Sequence, residues 1–473
     1  MDTARRLNHM HTLRSTTRTR ILLFVVAILL FVCAASVAAA SNAVDPGVRG
    51  GDPGAGGHLD GLTAREIEYF VVGLGDFSEA ENVADGVGPR MNLDSCAGCH
   101  FHPAIGGSSG FMNPQVAFAS KNGCADRIPF FITIDGPIRE ARFKYNPDGT
   151  RDGGVHNSAT ITGREGAGFC VLAQPEFERE SARNNLIFRI PTPLFGSGLI
   201  EQIPDASILA NQAANSTAKR ALGIRGRPNR AKPGRVTGET NNNANDGTIS
   251  RFGWKAQNQS LLLFSGEAYN VEMGITSPLF QQEREQEPAC QFATVPNDIT
   301  NPEITTTPAG LGAIEHFAFF QRFLAAPTPS PDTPGGKASI DNGRKLFSKI
   351  GCDLCHTPTL NTGNLSTTLA TRNIDANLYS DLLLHNMGPG LADDILQGQA
   401  QGDEFRTAPL WGLGQRVFFL HDGRTSDLLE AIQEHNSDGN RQFGPSEANA
   451  VVDRFNRLRE NDKQNVLNFL RSL

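Results

Sequence analysis

"DNGRKLFSKIGCDLCH", residues 341–356, decides how this chain is read. Leu346, Phe347 and Ile350 cluster on one side of its first ten residues. That spacing predicts a short amphipathic helix running straight into Cys352-x-x-Cys355-His356. Far upstream, "SCAGCH" at residues 95–100 repeats the pattern with Cys96, Cys99 and His100. Two thiols three residues apart, followed at once by an imidazole, are the attachment pattern of c-type haem. Each thiol adds to one haem vinyl group, and the adjacent imidazole reaches the iron. A zinc site would need four protein ligands, and none of the other cysteines is paired at metal spacing. A redox disulfide needs no histidine there. Two covalently bound haem c groups are therefore expected, held by Cys96, Cys99 and His100 and by Cys352, Cys355 and His356.

The surroundings of each motif suggest a mainly α fold with two cytochrome c-like haem domains. "PTPSPDTPGG", residues 327–336, is rich in Pro and Gly and predicts a linker. It separates an N-terminal haem domain, 41–326, from a C-terminal cytochrome c-like haem domain, 337–473. "LGAIEHFAFFQRFLAA" has helical apolar spacing and would close the first domain. Val451, Phe455, Leu458, Val466, Leu467 and Leu470 predict a terminal helix packed on a core. The first domain is oversized. Its Gly/Pro-rich segments, the strand-like "PFFITI" and the polar "TNNNANDG" predict loop-rich and partly β insertions.

Residues 1–40 are a different material. Arg5, Arg6, Arg14, Arg18 and Arg20 precede an apolar run from Ile21 to Ala40 that ends in small residues. This reads as a signal peptide for export to the periplasm, or, if uncleaved, as a membrane anchor. Cys33 inside the run gives only a weak lipid-attachment signal, because Val32 is too large. The chain carries a net charge of −7, and losing those arginines makes the remainder more acidic. That balance gives no electrostatic reason to bind nucleic acid. It would steer a basic redox partner inward, although solubility alone explains it as well.

"RIPTPLFGSGLIEQIPD", "RFGWKAQNQS", "LLLHNMGPGLADD" and "EFRTAPLWGLGQRVFFLHDGRTSDLLEAI" carry a specific likeness. Over roughly residues 55–473 the chain resembles the bacterial di-haem oxidoreductase family, a peroxidase-related group also labelled thiol oxidoreductases. That family is related to the di-haem cytochrome c peroxidases and to the methylamine dehydrogenase maturation enzyme. The resemblance implies that Trp254 in "FGWKA" bridges the haems. It implies that Glu272 in "NVEMG", eighteen residues on, is the distal acid–base group at the first haem. Cleaving a peroxide needs a group that takes a proton from one oxygen and returns it to the other. The resemblance also places the second haem's sixth ligand fourteen residues after the His of "HDG", here His435, where relatives usually have Met. Met387 in "HNMGPG" is the rival. Two family features do not carry over. The distal Gln position falls at Leu262, and "QRVFFL" lacks the Thr and Pro of the calcium site, so calcium is left without support.

Other residues read more plainly. His102 is a loop or haem-propionate neighbour. His156 is either a ligand or pocket residue of the first haem or a structural hydrogen-bonder. His316 and His385 read as structural. Arg189, Arg251 and Arg424 would suit propionates or fold-holding salt bridges equally. Cys124, Cys170 and Cys290 remain for at most one disulfide, with Cys124–Cys170 the expected pair. The expected function is a di-haem, peroxidase-like oxidoreductase that takes electrons from a redox protein donor through the C-terminal haem. Its oxidant would be peroxide, and it could work as a homodimer, as relatives often do. The alternatives are a non-enzymatic carrier or redox sensor, and an enzyme that oxidises side chains of a partner protein.

Overall fold

Thr63 and Glu66 start the first long helix by capping each other. The Thr63 Oγ1 accepts the Glu66 N–H at 3.3 Å, and the Glu66 carboxylate accepts the Thr63 N–H at 2.8 Å. The computed structural model describes residues 42–121, 126–230, 249–282, 287–301, 303–304 and 307–473. Its main helices are α1 (Ala64–Ser78), α2 (Ser197–Gln202), α3 (Leu261–Met273), α4 (Ala313–Phe323), α5 (Lys337–Ile350), α6 (Leu428–Gln433), α7 (Asn449–Asn456) and α8 (Glu460–Ser472). Strands are short and pair in twos. The pairs used below are β1 (Glu140–Phe143) with β2 (Leu186–Arg189), and β3 (Leu384–Asn386) with β4 (Glu404–Arg406), both antiparallel. The fold is mainly α, as expected.

Around the first motif the core is aromatic. Phe70 and Phe77 of α1 lie against Phe320 of α4, with ring centroids 5.4 and 4.8 Å apart. Gly73 lets the two helices close, since a Cβ there would sit 2.3 Å from the His316 carbonyl oxygen. Tyr269 and Met273 of α3 complete this cluster. So α4 crosses the middle of the first core, packed on α1, rather than merely ending it.

Around the second motif, α5 buries Ile340, Gly343, Phe347 and Ile350 and stops at Gly351, whose φ is 101°. Only Gly takes that left-handed backbone readily, which sets Cys352 at the start of a tight turn. Phe347 meets Phe469 of α8 at 5.4 Å. The predicted terminal helix is two helices, α7 and α8, with Arg457 closing the first.

"PFFITI" forms no strand. Ile132 N–H bonds the Pro129 carbonyl at 3.0 Å and Gly136 N–H the Thr133 carbonyl at 3.2 Å, so the run is a pair of turns. Its burial is real, since Phe131 and Ile132 pack with Phe177, but no neighbouring strand pairs with it. Residues 327–336 are pinned by hydrogen bonds from Thr328 N–H to Gly54 and from Ser330 N–H to Ser472. The expected Cys124–Cys170 bond is corrected, because Cys170 is bonded to Cys290. Spacing could not choose between partners that the fold brings together across 120 residues.

Val44–Leu458 and Asp462–Leu473 form one compact unit, which holds everything described below. The described part of the other unit is residues 42–43 with Arg459–Asn461, where Ala43 N–H bonds the Glu460 carboxylate at 2.8 Å. No helix among the described residues is long and apolar enough to cross a membrane. The expected signal segment, Cys33, Cys124 and "TNNNANDG" lie outside the described residues.

Candidate functional site

Each motif opens into its own cavity. The cavity at the second motif encloses about 220 Å³, and the one at the first about 150 Å³. A buried water needs only ~10–15 Å³ by the same measure, so neither is a hydration pocket. All four motif cysteines are free of disulfides.

In the second cavity Cys352, Cys355, His356 and His435 are all lining residues. His356 donates its Nδ1–H to the Tyr379 carbonyl at 3.1 Å, and His435 donates its Nδ1–H to the Ala431 carbonyl at 2.7 Å. Both tautomers leave the lone pair on Nε2, the form that binds iron. Burial, and next the neighbouring His435, hold the His356 imidazole down to about 4. Met387, the rival ligand, also lines this cavity. Most of the remaining wall is apolar, including Phe347, Leu413, Phe419, Ile432, Val452 and Leu470. Two guanidinium groups interrupt it, Arg406 and Arg416, each lowered by burial to about 10. Buried cations facing an apolar space call for an anion. Paired thiols, two imidazoles, an apolar wall and two such cations fit a haem with propionate carboxylates.

The first cavity is more polar. Cys96, Cys99 and His100 line it, and His100 is the only histidine among its lining residues. Its Nδ1–H bonds the Gly107 carbonyl at 2.9 Å, again freeing Nε2. Glu272, on the last turn of α3, reaches this cavity together with Glu140, Arg142, Arg189, Gln115 and Gln257. The Glu272 carboxyl accepts Asn92 Nδ2–H at 2.7 Å and lies beside the Glu140 carboxyl. Arg142 Nε–H in turn bonds Glu140 at 2.6 Å. Burial and then the Glu140 charge push Glu272 well above the usual carboxyl range. Burial alone would raise Glu140 too, but Arg142 beside it brings it below that range.

Trp254 lines both cavities. Its Nε1–H bonds the Ile190 carbonyl at 2.9 Å, and its ring meets His421 edge-on at 6.5 Å. His421 stacks on Phe405 at 4.3 Å. Next to the indole lies a buried charge cluster. Asp393 pairs with Arg189 at 2.6 Å and with Lys255 at 2.9 Å. The Lys255 ammonium also donates to the carbonyls of Gln401 and Glu404 at 2.8 and 3.0 Å. Burial lowers it to about 8.

The structure thus brings Trp254, Glu272 and the first motif to one cavity, and Trp254, His435 and the second motif to the other. His156 does not line the first cavity. It stacks on Phe143 at 3.7 Å and pairs with Asp152 at 2.7 Å, the structural alternative. His102 bonds the Gln415 carbonyl at 2.8 Å. His316 is held by Asp76 and the Pro308 carbonyl. Arg251 is a fold-holding partner of Asp205, Arg424 pairs with Asp422 and Glu434, and Arg189 both lines a cavity and pairs with Asp393. His385 lines the second cavity while held by Asp381 at 3.0 Å and Glu447 at 2.8 Å. Sequence reasoning missed Glu140, Arg142, Arg406 and Arg416. The alternation Glu140-x-Arg142 in a β-like run was the available signal for the first pair.

A family model described as "Di-haem oxidoreductase, putative peroxidase" matches residues 181–473. That stretch holds Trp254, Glu272, His435 and the second motif, while the first motif precedes it. Among solved structures, the chain is similar to a MauG-like protein associated with microbial copper homeostasis. The identity is 20% and the TM-score 0.24, over 36% of this chain and 55% of that one. The chain thus spans about half of that protein's length. It is also similar to Kuenenia stuttgartiensis hydrazine synthase, at 14% identity and a TM-score of 0.34, over 90% of this chain and 96% of that one. No curated protein matches.

Proposed function

The chain belongs to the di-haem oxidoreductase family, and we propose that it works as an exported, peroxidase-like enzyme with two covalent haem c groups. Cys96, Cys99 and His100 would hold one group, and Cys352, Cys355 and His356 the other, each in a cytochrome c-like domain. The observation that carries the reading is the asymmetry of two cavities joined by one indole. The second cavity is lined by both His356 and His435, which would suit a closed site that only passes electrons. The first faces His100 with carboxyl, amide and guanidinium groups, which suits a site where a small oxygen substrate binds. The haem irons would supply the one-electron chemistry.

The chain's own residues supply the rest. Glu272 would move a proton between two oxygens of a peroxide, a role supported by its position in the first cavity and by Asn92, which fixes the orientation of its carboxyl. Arg142 and Arg189 favour negative charge in the same space. Electrons from a redox protein donor would enter at the second cavity and cross by way of Trp254. Export to the periplasm would follow from the leader sequence and from where c-type haem is attached.

The test is the reaction of the loaded protein with hydrogen peroxide. General acid–base help is typically worth ~10²–10⁴ in rate. Glu272→Gln is expected to slow the peroxide reaction by about that factor while mass spectrometry shows both haems retained. A parent protein that ignores peroxide would favour the carrier reading instead.

A further inference from the structure

We infer that Glu140 and Glu272 form one proton-sharing pair in the first cavity, with Glu272 the acid member and Glu140 a carboxylate that positions it. The inference rests on the peroxidase reading for its use, but its geometry stands apart from that reading.

The pair is built from distant pieces. In β1, alternate side chains share a face, so Glu140 and Arg142 both turn to the cavity. Directly across the strand pair from Glu140 stands Arg189. Glu272 arrives from the end of α3. Asn92 grips it twice, taking the Glu272 carbonyl with its backbone N–H at 2.7 Å and the carboxyl Oε2 with its Nδ2–H at 2.7 Å. Asn92 cannot turn its amide over, because its Oδ1 already accepts the Ser158 N–H at 2.9 Å.

Hydrogen-bond accounting then places a proton. Glu272 Oε2 accepts from Asn92, and Glu140 Oε1 accepts from Arg142, so each carboxyl has one oxygen met by a donor. The two carboxyls also lie beside each other in the wall of the same cavity. Two ionised carboxylates so placed could not hydrogen-bond each other, whereas one that carries a proton can donate to the other. Like charges this close and this buried cannot both ionise. Arg142, in direct contact with Glu140, selects Glu140 as the ionised member. Other groups near the pair are Arg189, which shares Asp393 with Lys255, Glu267, which takes the amide of Asn258, and the thiols of Cys96 and Cys99. The upward push on Glu272 and the downward push on Glu140 agree with this assignment.

The consequence is a site with a donor and an acceptor side by side. Glu272 would give its proton to one oxygen and take one back from the other, while the Glu140 carboxylate accepts the Glu272 O–H and holds it in place. The pair's proton count is the same before and after. Glu140 is a positioning residue in this scheme, because it acts on an oxygen substrate only through Glu272.

The experiment is infrared difference spectroscopy on the haem-loaded protein at neutral pH, in water and in deuterium oxide, with no peroxide present. The parent is expected to show a deuterium-sensitive carboxylic acid band. Glu272→Gln should abolish it. Glu140→Gln should abolish it as well, since Glu272 would then ionise beside Arg142. A parent without a band that Glu272→Gln removes overturns the inference, and this arm needs no variant of Glu140. A Glu140→Gln protein that keeps the band in place overturns Glu140's role. A parent that shows the band yet ignores peroxide keeps the pair and sinks the peroxidase reading, while one that consumes peroxide without the band does the reverse.

Discussion

His435 spends its Nδ1–H on the carbonyl four residues back, so its remaining nitrogen is the one that can reach a metal in the second cavity. If it is that haem's sixth ligand, His435→Met should raise the haem's potential, because a thioether favours ferrous iron and an imidazole favours ferric. Redox titration of the loaded variant checks this, and an unchanged potential would put His435 off the iron. Glu81 offers a second residue-level test. Tyr269 O–H donates to it at 2.9 Å, and burial raises its carboxyl to about 7. The folded protein therefore binds more protons than the unfolded chain between the ordinary value of 4.5 and about 7. Stability present below 4.5 is lost as pH rises through 7. Glu81→Gln should flatten that decline in melting temperature, and an identical decline in the variant would show that Glu81 is not its source. At this scale the two Cys-x-x-Cys-His motifs were legible, because their spacing is local, and the structure gives each one a cavity. Glu272 was legible only through family resemblance. Glu140 had only its alternation with Arg142 to mark it, since Glu272 lies far along the chain and nothing local shows that a strand residue faces a cavity.

Helix α1 carries two glycines two residues apart with opposite roles. Gly73 faces α4, where a Cβ would meet the His316 carbonyl oxygen at 2.3 Å and the Phe320 Cβ at 3.0 Å. Gly75 faces solvent, with nothing within 4 Å of an added Cβ. Backbone cannot move aside as a side chain can, so Gly73→Ala should destabilise the protein by about 1–3 kcal/mol. Gly75→Ala should instead stabilise it by about 0.5–1 kcal/mol through helix propensity alone. Denaturant midpoints of the two variants should move in opposite directions, and a shared direction would mean that α1 does not close on α4 at Gly73. Elements of this kind were partly legible. The apolar stripe of α5 could be read directly, because a helix writes its buried face at a regular interval. "PFFITI" misled for the converse reason. A short apolar run records burial but not whether a strand lies alongside, and here Phe131 and Ile132 are buried in turns.

Across the whole molecule, the segment around Trp254 is where the two cavities meet. Arg189 of β2, Asp393 of the loop before β4, and Lys255 beside the indole are locked together there, at side-chain exposures of 3% or less. The sequence placed Arg189 in a suggestive motif but could not pair it, because Asp393 lies 204 residues away. The cluster holds the indole's surroundings rigid, while Ile190 fixes the ring through the Nε1 hydrogen bond at 2.9 Å. Trp254→Phe would remove that donor and leave the Ile190 carbonyl unpaired, a cost of about 1–3 kcal/mol that a fold of this size can bear. The cysteines and histidines of both motifs would stay as they are, so both haems should remain attached and reducible at equilibrium. What should change is the rate at which electrons from the second haem reach the first. Rapid reduction of the second haem by a donor, followed by the spectrum of the first, measures that rate. It should fall in Trp254→Phe while the rate of the peroxide reaction with the already reduced protein stays near that of the parent. An unchanged rate between the haems would mean that electrons pass around the indole, and that Trp254 lines both cavities only as packing.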